Sequence, residues 1–415
     1  MAKKPVHVTS EIGALKRVVL HRPGYELSNV KVEEFETCWI HDAFYLECAQ
    51  REHDAFAQIL RDEGAEVLYM EELLAEAMEQ NPRAREAFLS EYMDQAPIPD
   101  PWLVPLVRER LESLSDNREF VAKALSGMRL RELDLAAGPR TLSRLAGEGL
   151  APDDLVVPPL PSSYFSRDPI ASIGTGVALH RMYYAQRNRE VLFYKTFLTY
   201  HEDYAGTPFW YDTASAAHIE GGDVLNINES TLAVGISERT EPAAVDQLAC
   251  NLFWGAQPSA VETVYAIKIP YGYETMHLDT VCTQIDYDKF TVYPGMYDDL
   301  RAYRLRKGDE HGEVAVEELA GSLKEILQMA TGVDDIMLIE CGGGDPVEAS
   351  REQWNDGSNT LAIAPGKVCV YERNVVTNEA LRKAGIELCV APSEELSRGR
   401  GGPRCMSMPF ERADL

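Results

Sequence analysis

Apolar residues recur along this chain in two rhythms, short runs of strand length and longer stretches at helical spacing. Lys16–His21 (KRVVLH) reads as a strand. Between Asp42 and Glu63 the positions Tyr45, Cys48, Ala49, Phe56, Ile59 and Leu60 share one helical face, and Gly64 stops the helix. Val67–Met70 (VLYM) is a second strand. From Glu71 to Glu148 strand-like runs vanish. Leu, Ala, Glu and Arg dominate there, broken at Asn81-Pro82, Pro97–Pro101 and Ser115–Asn117, which predicts several short helices in an inserted bundle. Strands return after Pro158, at Leu232–Ile236, Val264–Ile269, Ile336–Cys341, Leu361–Ala364 and Val368–Tyr371. Helices are expected over Val314–Leu327 and Thr377–Ala384.

One pattern occurs twice. Ile219–Asp223 (IEGGD) leads to Thr231–Gly235 (TLAVG) and then Glu238-Arg239. Ile339–Asp345 (IECGGGD) leads to Thr360–Ile363 (TLAI) and then Glu372-Arg373. Both read as strand, Gly-rich turn, strand and charged edge, which suggests a repeated α/β unit arranged around an axis. A chain of 415 residues exceeds one ordinary core, so it calls for two domains or a large repetitive domain with an insertion.

The formal charge of −27 changes what such a surface can meet. It repels phosphate backbones and anionic lipid, which argues against nucleic-acid and membrane partners, and it attracts small cations. The same charge also serves solubility. The amino-terminal MAKKPVHVTSEIG lacks a signal-like apolar run, and no stretch is long and apolar enough to span a bilayer. The eight cysteines form no C-x-x-C pair, and several sit in apolar runs such as KVCVY and ELCVA. That pattern fits reduced thiols in the cytoplasm.

Familiar zinc, nucleophile-elbow and phosphate-loop motifs are absent, and no metal or other cofactor is expected. Four segments are instead dense in polar residues. Ser166-Arg167-Asp168-Pro169 follows Tyr164-Phe165, and His218–Asp223 carries Glu220. Met276–Thr280 (MHLDT) alternates, so a strand there would set His277 and Asp279 on one face. Arg398–Pro409 (RGRGGPRCMSMP) places Cys405 in a Gly- and Arg-rich loop, where an exposed thiol should have a lowered pKa. Taken singly, each group also fits a turn, a cap, a structural histidine or an inert thiol. Together they form a set suited to attack on a cationic carbon, but spacing alone does not bring them together.

These segments resemble the arginine deiminase family over nearly the whole chain. The matching stretches include SEIGALKRVVLHRPG, REHDAFAQILRDEGAEVLYMEELL, FSRDP, IEGGDVL, GISERT, MHLDTV, ECGGGD, REQWNDGSNTLAIAPG and SRGRGGPRCMSMP. The resemblance implies a five-fold pseudo-symmetric α/β propeller, the pentein fold, over residues 1–74 and 149–415, with a helical domain inserted at 75–148. It implies hydrolysis of L-arginine to L-citrulline and ammonia by a cytoplasmic homo-oligomer, dimer or tetramer. Carried over by position, Cys405 would be the nucleophile and His277 the general acid and base. Asp168 and Asp279 would grip the guanidinium nitrogens, while Glu220 would orient His277 and hold one guanidinium edge. Arg187 and Arg239 would bind the substrate carboxylate, Phe165 would line the aliphatic stem, and Arg400 would belong to a loop over the site. Two positions depart from the family pattern. Ser162 stands where Asn is usual, and Cys38-Trp39-Ile40-His41-Asp42 replaces a Leu-Leu-Phe-Asp-Asp run, which puts Trp39 at the pocket. A related guanidino-group enzyme, a modified-arginine hydrolase or an amidinotransferase, is the alternative those departures allow.

Overall fold

The computed structural model describes residues 5–38, 40, 42–135, 141–147, 149–297 and 300–415. Trp39 and His41 lie outside the described residues. Among them, five of six sheets share one connectivity: an antiparallel strand pair, then a helix, then a third strand parallel to the second. A parallel neighbour cannot be reached by a tight hairpin, so each unit needs its crossover helix.

The first unit pairs Ile170–Ile173 with Gly176–Leu179, crosses through the helix Asn188–Tyr200 and adds Phe209–Tyr211. The second uses Val224–Asn228, Thr231–Ile236, the helix Pro242–Trp254 and Thr263–Lys268. The third uses Cys282–Gln284, Lys289–Val292, the helix Leu323–Thr331 and Met337–Glu340. The fourth uses Leu361–Ala364, Lys367–Tyr371, the helix Val375–Lys383 and Glu387–Ala391. The fifth is closed by both ends of the chain. Met408–Arg412 pairs with Leu15–Leu20, which continues through the helix Leu46–Asp62 to Glu66–Tyr69.

Two local expectations fail. Val314–Leu319 is a strand, antiparallel to Arg301–Lys307 at the edge of the second sheet, and the helix begins only at Leu323. Ser322 sets that start: its hydroxyl accepts the Glu325 N–H, and the Glu325 carboxylate accepts the Ser322 N–H in return. Tyr45, expected on the buried face of its helix, is 56% exposed because it precedes the first helical turn. Glu52 takes a place on that face instead, its carboxylate accepting the backbone N–H groups of Glu395 and Leu396.

Between the fifth and first units run the helices Met70–Gln80, Pro82–Gln95, Val104–Glu112 and Asn117–Ser126. Asn81 before Pro82 caps the second of these, and Asp116 caps the fourth through the N–H groups of Arg118 and Glu119. Their apolar faces are continuous with the first unit. Leu73, Phe88, Leu103 and Phe120 share a core with Ile170, Val177, Phe193 and Phe197, and the Phe88 and Phe193 rings meet edge-on at 4.9 Å. No helix among the described residues is long and apolar enough to cross a membrane.

Candidate active site

The polar segments singled out in the sequence occupy equivalent places in the fold. Each lies just before the first strand of its unit. Asp168 precedes Ile170, Glu220 and Asp223 precede Val224, and His277 and Asp279 precede Cys282. Asp356 and Asn359 precede Leu361, and Cys405 precedes Met408. Residues up to 237 positions apart thereby meet, as where Arg167 Nε donates to the Arg404 carbonyl. The shared cavity is lined by Ser162, Phe165, Asp168, Arg187, Arg239, His277, Arg400 and Cys405, together with Tyr184, Tyr273, Met276, Thr280 and Gly399.

His277 and Asp279 do not share a strand face. Leu278–Val281 is a single helical turn with His277 at its N-cap. The buried Asp223 imposes that turn by accepting the Leu278 N–H at 2.8 Å. The two side chains therefore diverge. His277 Nε2 meets Glu220 Oε2 at 2.8 Å, and its Nδ1 lies 3.9 Å from Asp168 Oδ1. Asp279 Oδ2 accepts from Arg404 at 2.7 Å and lies 3.9 Å from Cys405 Sγ. Gly222 makes room for the imidazole: a Cβ there would fall 2.6 Å from His277 Nδ1.

The charges around the imidazole decide its protonation. Burial alone would lower its pKa, but Asp168, Glu220 and Asp223 outweigh burial and raise it to about 9. Glu220 is buried too, yet Arg239, His277 and Arg187 hold its carboxyl far below the usual range. His277 is therefore an imidazolium at neutral pH.

Cys405 corrects the expectation of an exposed, acidic thiol. It is 4% exposed, and burial pushes its pKa well above the ordinary value, with Asp279, Asp168 and Asp356 adding to the rise. The neighbouring arginines turn elsewhere. Arg404 spends its donors on Glu11, Asp279 and the Val224 carbonyl. Arg398 pairs with Asp42, and Arg400 stacks on Trp354 with its guanidinium carbon 3.5 Å from the ring centroid. The backbone N–H of Cys405 donates to Asn359 Oδ1 at 3.1 Å, which fixes the loop.

Arg187 and Arg239 both reach the cavity but differ in freedom. Arg187 donates to Glu190 through Nε and NH2 and to Asp168 Oδ2 through NH1 at 3.0 Å. Arg239 lies over the Tyr184 ring at 4.3 Å, and its buried Nε has no hydrogen-bond partner. Phe165 packs on Tyr164 with ring centroids 4.0 Å apart, and Ser162 sits in the turn Pro161–Tyr164. Ligand atoms of Asp168, Glu220 and His277 lie within 4.8 Å of one another, a spacing that could hold a metal ion. Arg187 and Arg239 lie 3.9 and 3.6 Å from Glu220, and the imidazole already carries a proton. A divalent cation would have to displace that proton beside two guanidinium groups, so these residues fit a metal poorly.

Several residues of this network escaped the sequence reading. Glu190 stands three positions after Arg187, the spacing of neighbours on one helix face. Arg404 is adjacent to Cys405, and Asn359 and Asp356 lie in the quoted WNDGSN run. Nothing in the sequence points to Glu11 as the partner of Arg404.

Likeness to solved structures sets the class. An amidinotransferase from Microseira wollei in the saxitoxin biosynthetic pathway superposes with a TM-score of 0.54 at 14% identity, covering 99% of this chain and 98% of that one. DDAH from Pseudomonas aeruginosa, complexed with citrulline, superposes with a TM-score of 0.52 at 12% identity, covering 96% and 100%. The chain has the mixed α/β pentein fold of these enzymes. Sequence then narrows the class. The arginine deiminase of Treponema denticola is 44% identical over 411 residues, 99% of each chain. That of Streptococcus equi subsp. zooepidemicus is 46% identical over 417 residues, 100% of each chain. The family model for arginine deiminase matches residues 39–412, and the chain belongs to the arginine deiminase family.

Proposed function

We propose that this enzyme hydrolyses L-arginine to L-citrulline and ammonia through a covalent amidino adduct on Cys405. One observation carries the reading. Asp168 and Asp279 flank the buried thiol, and each keeps a buried carboxylate oxygen, Oδ1, with no hydrogen-bond donor. Orphaned acceptors of this kind are costly unless a ligand completes them. A planar cation with N–H groups on both sides of an electrophilic carbon supplies what they lack, and the two carboxylates would hold that carbon against the sulfur.

The chemistry follows from the charges. Burial and the Asp279, Asp168 and Asp356 carboxylates keep the thiol neutral in the free site; the guanidinium offsets their field, and the thiol releases its proton to solvent as substrate docks. The thiolate attacks the guanidinium carbon and forms an S–C bond. His277, already protonated, gives its proton to the departing nitrogen, the C–N bond breaks, and ammonia leaves. The neutral imidazole then takes a proton from water, whose oxygen attacks the same carbon. The S–C bond breaks, the hydroxyl proton passes to the departing sulfur to restore the thiol, and citrulline departs. Glu220 orients His277 throughout, and Arg239, aided by Arg187, takes the substrate carboxylate. Phe165 borders the stem, Ser162 the amino-acid end, and Arg400 the mouth. The five like units are taken to stand around a pseudo-five-fold axis, with residues 75–148 as a helical insertion; the single connectivity of all five units supports that arrangement. The same reading makes the enzyme a cytoplasmic homo-oligomer.

Purified enzyme incubated with L-arginine should release citrulline and ammonia in equal amounts. Agmatine, which lacks the carboxylate, should lose at least about 2 kcal/mol of transition-state binding, roughly thirtyfold in kcat/KM. No citrulline from arginine, or equal use of agmatine, would overturn the assignment.

A further inference from the structure

The segment Trp354–Asn359 (WNDGSN) has no assigned role in the chemistry above, yet it meets the Cys405 loop at two points and the Asp279 backbone at a third. Asn359 Oδ1 accepts the Cys405 N–H at 3.1 Å, and Asn359 Nδ2 donates to the Asp279 carbonyl at 3.0 Å. The Trp354 ring supports the Arg400 guanidinium at 3.5 Å. Between these two residues sits Asp356, 4% exposed.

Asp356 and Arg400 are the only non-glycine residues with positive φ among the described residues, at 57° and 65°. Left-handed backbone costs a side-chain-bearing residue about 1 kcal/mol, and such strain persists where surrounding contacts hold it. Arg400 lines the same cavity as Cys405, and the Asp356 charge bears on that sulfur. Both also carry buried polar atoms without hydrogen-bond partners: Oδ2 of Asp356, and Nε and NH1 of Arg400. Burial raises the Asp356 carboxyl to about 7, with Arg400 pulling it down and Asp279 pushing it up. The charge of Asp356 in turn opposes ionisation of Cys405, alongside Asp279 and Asp168, and it also bears on Tyr164, Tyr371 and Cys341.

We propose that Asp356 is a positioning residue of this site: its carboxylate is the buried counter-charge that keeps Arg400 over the pocket, and it sets how readily Cys405 gives up its proton. The inference rests on Cys405 being the reactive group, but its tests read the resting enzyme and need no arginine. Asp356→Asn keeps the shape and the tolerance for left-handed backbone while removing the charge. In the full-length variant, iodoacetamide alkylation of Cys405, followed by peptide mass mapping at mildly alkaline pH, should run about tenfold faster, equivalent to a thiol midpoint about one pH unit lower. A residue needed only for the turn would leave that rate unchanged, and an unchanged rate overturns the proposal. Arg400→Met leaves Asp356 in place and provides a second reading. Carbon NMR of aspartate carboxyls should show one buried group titrating above the parent value of about 7. If no aspartate moves, the pairing with Arg400 is wrong. Failure of citrulline release with a normal alkylation response would instead fault the substrate assignment alone.

Discussion

Replacing Glu220 by Gln probes the acid that releases ammonia. Glu220 is fully buried, and its Oε2 lies 2.8 Å from His277 Nε2. His277 sits at about 9 against an ordinary 6.5, a difference worth about 3 kcal/mol of preference for the imidazolium. That preference survives burial because Asp168, Glu220 and Asp223 face the ring, and Glu220 is the one bonded to it. A single opposite charge at such range moves a pKa by about 1–3 units, so Gln should lower the His277 midpoint by about 1–2 units. The sign is fixed: His277 must hold a proton to give to the leaving nitrogen, so turnover fails as pH rises through its midpoint. In the variant the alkaline fall in kcat should come at correspondingly lower pH. Imidazole NMR titration of the free enzyme and the pH dependence of kcat test the two halves separately. A His277 midpoint that stays at about 9 in the variant would refute the electrostatic reasoning. So would an alkaline limb that does not move while the midpoint does.

Gly222→Ala should cut kcat about a hundredfold with little change in Tm, because the new Cβ would lie 2.6 Å from His277 Nδ1 and displace the ring from Glu220; steady-state kinetics on arginine check this, and near-normal kcat would contradict the close approach. His21 bridges Glu71 at 2.8 Å and Glu26 at 3.1 Å, and these carboxylates outweigh burial to raise its pKa to about 10. Its folded-state pKa is above the unfolded value, so its stabilising contribution is full below pH 6.5 and is lost as pH rises toward about 10. His21→Leu should lower stability by about 3 kcal/mol, read as a lower apparent Tm, and should flatten that alkaline loss.

The chemistry-bearing residues were legible because they cluster in short polar segments between strand-like runs, and those segments proved to stand before the first strand of four of the five units. What sequence could not supply was the company each residue keeps. The arginines around Cys405 suggested an acidic thiol, but Arg404 is held by Glu11, 393 positions away, and the sulfur is left facing carboxylates. His277 and Asp279 alternate as strand residues would, yet Asp223 draws the intervening backbone into a turn. Val314–Leu319 reads as helix by composition and becomes a strand because Arg301–Lys307 offers it a partner edge. The echoed segments do not mark equivalent places: TLAVG is the second strand of its unit and TLAI the first strand of another, so the common connectivity of the five units is not what that echo recorded.

The proposed reaction requires the Cys405 sulfur to form a bond to the guanidinium carbon of arginine. The direct measurement is rapid acid quenching of enzyme mixed with carbon-labelled L-arginine, followed by proteolysis and mass mapping of every cysteine peptide. A labelled amidino adduct should appear on the peptide containing Cys405 and on none of the other seven cysteines, and it should disappear in Cys405→Ala together with all citrulline formation. Turnover by Cys405→Ala, or product release by wild-type enzyme with no adduct at any quench time, would contradict it.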